Sequence, residues 1–320
     1  MTDWRPTASR EALQQRASLL AALRGFFAER SLLEVETPML SVGATTDPTI
    51  ESFALHGATP PRYLHTSPEF PMKRLLAAGS GDIYQICRVF RQGERGRFHN
   101  PEFTLVEWYR LGWDDARLAS EVVELALRAA ESLDLPADFE VARLSYAEVF
   151  AEVLGIDPHR APKETLIELA RTAGVAPEGE LTRDGWLDLL MGLAVAPAFP
   201  AGRLTVVSDY PATQAALARI REGYPPTAAR FEVFGGSLEL ANGFHELTDA
   251  GEQARRFAVD EAYRVSVDAP ERPADRRLIA ALEAGLPDCA GVALGVDRLL
   301  LWLTGRDDLA EVIAFPWERA

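Results

Sequence analysis

The sequence is short of cysteine and of positive charge, and each shortage closes off a class of function. Only Cys87 and Cys289 occur, far apart and outside any CxxC pair or Cys/His cluster. That is the usage of a reduced protein with neither a disulfide framework nor a zinc site. Lys and Arg number 33 against 48 Asp and Glu, a formal net charge of −15. No global basic field exists to pair with nucleic-acid phosphates, so an extended nucleic-acid surface is disfavoured and only a local basic patch remains open. No apolar run reaches the length of a membrane span, and the polar segment from Met1 to Arg10 has no apolar signal core. Both features predict a soluble, cytoplasmic protein. Internal repeats and low-complexity linkers are missing too. So are a P-loop and a Gly-x-Gly-x-x-Gly after a predicted strand, so any nucleotide must be held in another way.

Apolar residues make up 48% of the 320 positions, enough for a substantial core. Over residues 10–30 they recur at helical spacing (Leu13, Ala17, Leu20, Leu23, Phe27), with Ser9 as N-cap. The run 32–36 stops before Pro38. Residues 83–91 and 103–109 read as strands joined by a polar, Gly-containing turn, and 114–195 as mainly helical. Residues 203–210 and 230–241 read as strands, 274–284 as a helix, and 291–296 as a strand feeding a last helix. Strands in adjacent runs predict an α+β fold, an antiparallel sheet flanked by helices.

Four stretches carry chemistry. Gly235-Gly236 is a hairpin signal that pairs Phe234 with Ser237, Val233 with Leu238 and Glu232 with Glu239. Facing carboxylates repel, and a divalent cation between them relieves the repulsion. Oxygen-only ligands favour Mg²⁺ with nucleotide phosphates, although two solvated glutamates account for the spacing equally well. Lys73, Arg74, Arg88, Arg91, Arg95 and Arg97 form a basic cluster, and the arginine fork suits phosphate oxygens. Glu107 and Tyr109 share a strand face suited to an ammonium group. Thr66 or Ser67 caps a helix with Pro68 at its first position and Gly79 closing it, which sets Glu69 where any acid is favoured by the dipole. Arg298 falls in the first turn of the last helix, where a cation is sensible beside a bound anion or a neighbouring acid. Strict alternation puts Glu246 on the face opposite Glu239 unless Gly243 bends the strand.

Taken together and in order, these stretches resemble the class II aminoacyl-tRNA synthetases, and lysyl-tRNA synthetases most closely. Gly25-Phe-Phe…Val35-Glu-Thr-Pro38 looks like motif 1, Phe90-Arg91 through Glu107 like motif 2, and Gly291 to Arg298 like motif 3. From about residue 10 onward, segments such as His99-Asn-Pro-Glu-Phe and Ala241-Asn-Gly-Phe-His-Glu-Leu-Thr-Asp are similar to the elongation factor P–lysine ligase family. The resemblance implies ATP and Mg²⁺, a homodimer, and one catalytic domain over residues 1–320 with no anticodon-binding domain. It implies activation of lysine or (R)-β-lysine and transfer to a lysine of elongation factor P. Arg91 and Arg298 would be catalytic, on the α- and γ-phosphates. Gln92, Gly93, Asn100, Glu239, Leu240 and Gly295 would complete the ATP site, with Glu232 and Glu239 as metal ligands. Ser67, Pro68 and Glu69 would meet the amino-acid end of the substrate, and Glu107, Tyr109 and Glu246 its distal ammonium. Ala293 stands where lysyl-tRNA synthetases have glycine, which suits a β-amino substrate. Gly93 departs from the usual motif 2 glutamate, leaving backbone contacts or Glu94 to substitute. The basic cluster would line the site mouth and meet an acidic acceptor. The alternatives are a truncated synthetase charging tRNA or a tRNA-like RNA, a non-catalytic binding module, and an amide-forming enzyme with a small-molecule product.

Overall fold

The computed structural model describes residues 4–175 and 181–320. Residues 1–3 of the polar N-terminus and 176–180 of the stretch expected to be helical lie outside the described residues. Helix α1 (Arg10–Glu29) starts where expected, with Ser9 Oγ accepting from Ala12 N at 3.1 Å. There follow β1 (Leu33–Glu34), β2 (Leu40–Ser41), β3 (Ala54–Leu55), β4 (Arg62–Leu64), α2 (Glu69–Ala77), β5 (Ile83–Phe90), β6 (Glu102–Leu111) and α3 (Asp115–Glu131). Next come β7 (Glu140–Ser145), α4 (Tyr146–Leu154), α5 (Lys163–Thr172), α6 (Arg183–Leu190), β8 (Arg203–Pro211), β9 (Ile220–Arg221) and β10 (Thr227–Gly235). The chain closes with β11 (Leu238–His245), α7 (Ala250–Ser266), α8 (Arg276–Gly285), β12 (Cys289–Gly295) and α9 (Val296–Leu303).

The main sheet runs β1-β5-β6-β12-β11-β10-β8-β7, with β9 beside β10, and a small sheet runs β2-β4-β3. The expected α+β fold is borne out, with one refinement: the edge pairs β1–β5 and β7–β8 are parallel, and the pairs between them antiparallel. Strand β7 interrupts the stretch expected to be helical. It is a half-exposed edge strand without apolar alternation, so its pairing with β8 makes it a strand and its own sequence does not.

Alternation sorts the central strands into two faces. Val106, Trp108, Phe231, Val233, Ala241, Val292 and Leu294 face the main core with α1, α3 and α9. Leu105, Glu107, Tyr109, Asn242, Phe244, Gly291, Ala293 and Gly295 face a cavity of about 1420 Å³. A second core lies beneath α4, α5 and α6, and a third joins α2, α7 and α8. Among the described residues no helix is long and apolar enough to cross a membrane.

The β10–β11 hairpin corrects the expected register. Gly235 pairs with Leu238 and Phe234 with Glu239, so the turn is Gly236-Ser237. Gly236 sits at φ +55°, and a Cβ on Gly235 would meet the Trp302 ring at 2.5 Å, so each glycine has its own requirement. Val233 then pairs with Ala241, which leaves Leu240 as an extra residue. Glu232 therefore faces Asn242, not Glu239. The bulge reverses the alternation beyond it, so Asn242, Phe244 and Glu246 join Glu239 on the cavity side. The bulge, not a bend at Gly243, resolves the expected conflict. Gly243 lies on the core face, where a Cβ would run into the Phe231 ring.

Candidate active site

Helix α2 sets one wall of the cavity. Its N-cap is Pro68, not Thr66 or Ser67, and no side chain caps it; Ser67 Oγ accepts only a long bond from Glu69 N at 3.4 Å. Glu69 thus opens the helix and reaches the cavity with Ser67, while Pro68 does not line it. Pro71 fits because it stays in the first turn, and Gly79 (φ +87°) follows the helix end.

The inner pocket is acidic and buried. Glu107 is 2% exposed and Glu246 1%. Glu107 Oε1 accepts from Tyr109 OH at 2.7 Å, while Glu107 Oε2 is buried with no hydrogen-bond partner. Burial raises Glu107 well above the usual carboxylate range, and Glu69 adds to the shift. Burial likewise pushes Glu246 up to about 7 against the pull of Lys73. The Tyr109 phenol is raised by burial and then by Glu107, so it stays protonated and donates. Lys73, grouped with the surface arginines by sequence, is buried here, with Nζ 2.5 Å from Glu69 Oε1 and 2.6 Å from Glu246 Oε2. Its i,i+4 spacing to Glu69 was the signal that could have found it.

Gly291 is a second residue that sequence reasoning missed as a pocket former. A Cβ there would overlap the Tyr109 ring and the Glu246 carboxylate, so only glycine lets those two groups meet over β12. Ala293 lies between Glu107 and Asn242 on the neighbouring strands and lines the cavity. Cys87 packs beneath it as a buried thiol that burial pushes up to about 12, far from a nucleophilic thiolate.

The outer end is built of arginine. Arg91 follows β5, stacks over Phe103 at 5.1 Å and sits 3.5 Å from Glu94; its Nε is buried without a hydrogen-bond partner. Arg298, in the first turn of α9, donates to Glu239 O at 3.0 Å, Phe98 O at 3.2 Å and His99 Nε2 at 2.8 Å. Burial, and then the Arg298 charge, hold His99 below the usual imidazole range, so a neutral ring accepts that bond. Leu240 and Gly295 also line the cavity. A Cβ on Gly295 would meet nothing nearer than 3.8 Å, so no packing in the protein demands glycine there.

Several expected nucleotide contacts are not brought in. Gln92 and Gly93 do not line the cavity, and Gln92 N donates to Glu51 O at 2.8 Å. Gly93 has φ +88°, a turn conformation that a glutamate side chain rarely adopts, and Glu94 enters the cavity instead. Asn100 lines the cavity, but its amide is engaged: Nδ2 donates to Glu102 O at 2.6 Å and Oδ1 accepts from Trp317 N at 2.9 Å. The basic cluster is dispersed as well. Arg88 pairs with Glu102, Arg95 lies over Trp317, and Arg97 pairs with Asp307, all outside the cavity lining, which keeps only Arg74 and Arg91 of the six.

Glu232 and Glu239 share the cavity face despite the register change. Burial pushes Glu232 up to about 7 against the pull of Arg230, whose Nη2 lies 2.6 Å from its Oε1, and Glu239 adds to the rise. Among the described residues no group of three or more His, Cys, Asp or Glu is placed to hold a metal ion. Two carboxylates fit a hard cation that takes its remaining oxygens from phosphate and water.

The model of the tRNA synthetases class II (D, K and N) matches residues 1–319. The chain is 46% identical to the elongation factor P–(R)-β-lysine ligase of Vibrio cholerae, over 100% of this chain and 99% of that one. It is 47% identical to the ligase of the same name from Proteus mirabilis and 45% to that from Edwardsiella ictaluri, each over 100% of this chain and 99% of the relative.

Proposed function

The chain belongs to the class II tRNA synthetases of the D, K and N type, and from that premise we propose that it uses ATP to activate (R)-β-lysine, or lysine, and transfers the acyl group to a lysine of elongation factor P. The observation that carries the reading is the orphaned Glu107 Oε2 in a buried pocket of three carboxylates and one lysine, which favours a ligand with ammonium groups. The relatives' names supply the isomer and the acceptor.

Glu107, Tyr109 and Glu246 hold the distal ammonium, and Ser67 and Glu69 meet the amino-acid end, beside Ala293. The substrate carboxylate attacks the α-phosphorus of ATP and pyrophosphate leaves. Arg91 and Arg298 stabilise the charge that develops there. Glu232 and Glu239 would hold Mg²⁺, which would neutralise phosphate charge. The acceptor ε-amine then attacks the acyl carbon, releasing AMP and a proton. Positioning and charge supply the acceleration, so no protein nucleophile is required.

We also read the chain as one catalytic domain acting in the cytoplasm as a homodimer. The exposure of Leu33, Met39, Leu40 and Leu55 near the motif 1 segment supports the dimer. The test of the reading is incubation with ATP and labelled (R)-β-lysine, offering elongation factor P or bulk tRNA. Label on the protein and none on tRNA is the expected outcome; label on tRNA alone would overturn it.

A further inference from the structure

Lys73 is 1% exposed, and its ammonium bridges two elements: Glu69 on its own helix α2, and Glu246 just beyond β11. On a surface helix an i,i+4 pair contributes only a few tenths of a kcal/mol. Here the lysine is withdrawn from water, which is costly unless its partners are well placed. Both carboxylates touch one Nζ, so their oxygens lie no farther apart than those two contacts laid end to end. Without the cation between them, two buried carboxylates so close would repel or take up a proton.

The pocket's charges point the same way. Glu69, Glu107 and Glu246 bring three acids and Lys73 one cation, and Arg219, which also acts on Glu246, is already paired with Asp288, leaving two acids in excess. A diamino acid brings two ammonium groups, and on the proposed reading its carboxylate faces the arginine end of the cavity. A monoamino acid leaves one acid unpaired, which is expensive for carboxylates as buried as Glu107 and Glu246. Glu107 is already arranged for such a partner, with one oxygen held by Tyr109 and the other unpartnered.

We infer that Lys73 is a positioning residue that makes the pocket selective for diamino acids, by clamping Glu69 against Glu246 and holding the pocket at two acids in excess. The inference rests on the reading of this pocket as the substrate's ammonium site. The test is ATP–pyrophosphate exchange by the full chain and its Lys73→Met variant, with (R)-β-lysine and L-lysine. The variant is expected to raise KM for the better isomer by about tenfold or more, with kcat and the KM for ATP within about threefold of wild type. Where Lys73→Met does not fold, Lys73→Gln, whose amide still donates to one carboxylate, is read in its place with the same expectation. A folded variant with an unchanged amino-acid KM overturns the inference. So does a proportional loss of kcat and of affinity for both substrates, which marks a merely structural lysine. No exchange by the wild type with either isomer overturns the substrate reading itself, and this inference with it.

Discussion

At one end of the cavity Arg91 and Arg298 are held by stacking and by backbone carbonyls, with side chains 26% and 22% exposed. At the other, Glu107 and Glu246 are almost wholly buried, Glu246 against the Lys73 ammonium and Glu107 against the Tyr109 phenol. The arginine end can tolerate water because guanidinium groups stay charged wherever they sit. The acidic end is protonation-sensitive because burial raises both carboxylates, Glu246 to about 7 and Glu107 well above the usual range. One end is thus a permanent positive field and the other a conditional negative pocket, which the proposed function reads as sites for a phosphate and an amine.

The largest effect should come from breaking the acidic end. Glu107→Gln keeps the shape and removes the charge, and is expected to lower kcat/KM for the amino acid roughly a hundredfold, mainly through KM, with the KM for ATP little changed in pyrophosphate exchange. Breaking the arginine end should give the opposite split. Arg298→Ala is expected to lower kcat about a hundredfold while the amino-acid KM stays within about threefold.

A smaller and more diagnostic effect is pH. Glu246, pushed up to about 7, and Glu107, raised by burial and by Glu69, must be ionised to hold ammonium. The amino-acid KM should therefore rise as pH falls from about 8 to 6, by up to about tenfold per pH unit, while the KM for ATP changes little. Stability runs the other way. A carboxylate whose folded pKa is raised takes up protons on folding, so the ligand-free protein should be more stable near pH 5.5 than near pH 8 in thermal melts. A flat amino-acid KM would mean that the pocket is not titrating.

The smallest expected effect compares two glycines of β12. Gly291→Ala pushes a methyl group into Tyr109 and Glu246 and should cost about 1–3 kcal/mol in denaturant titration. Gly295→Ala meets only ordinary contacts and should cost less than about 0.5 kcal/mol, yet raise the KM for ATP. Equal stability costs would remove the distinction between a glycine required by packing and one facing ligand space.

The sequence made the arginine end more legible than the acidic one. Arg91 and Arg298 stand in short contiguous segments whose order matches the motifs, so their place in the cavity needed little tertiary information. The acidic pocket depends on register. Glu232 does not pair with Glu239 because the turn is Gly236-Ser237, one residue later than expected, which sets Glu239 opposite Phe234; the extra residue Leu240 then brings Glu246 to the cavity. Nothing local in Leu238-Glu-Leu-Ala-Asn marks a bulge, since which glycine forms the turn is decided by Trp302 and Ala201 packing against the hairpin. Sequence alone groups Lys73 with the nearby arginines because charge is visible there and burial is not. Strand β7 was unreadable for a related reason, since its partner lies across α4, α5 and α6 in the chain.

The central claim is that an arginine end and an acidic end act on one molecule, an amino acid bearing an extra ammonium group. Pyrophosphate exchange with (R)-β-lysine, L-lysine and norleucine, the last having the lysine chain length without the distal amine, tests it most directly. Exchange is expected with at least one lysine isomer and none with norleucine. Exchange with norleucine at a rate matching the lysines would contradict it, because the buried carboxylates would then play no part in choosing the substrate.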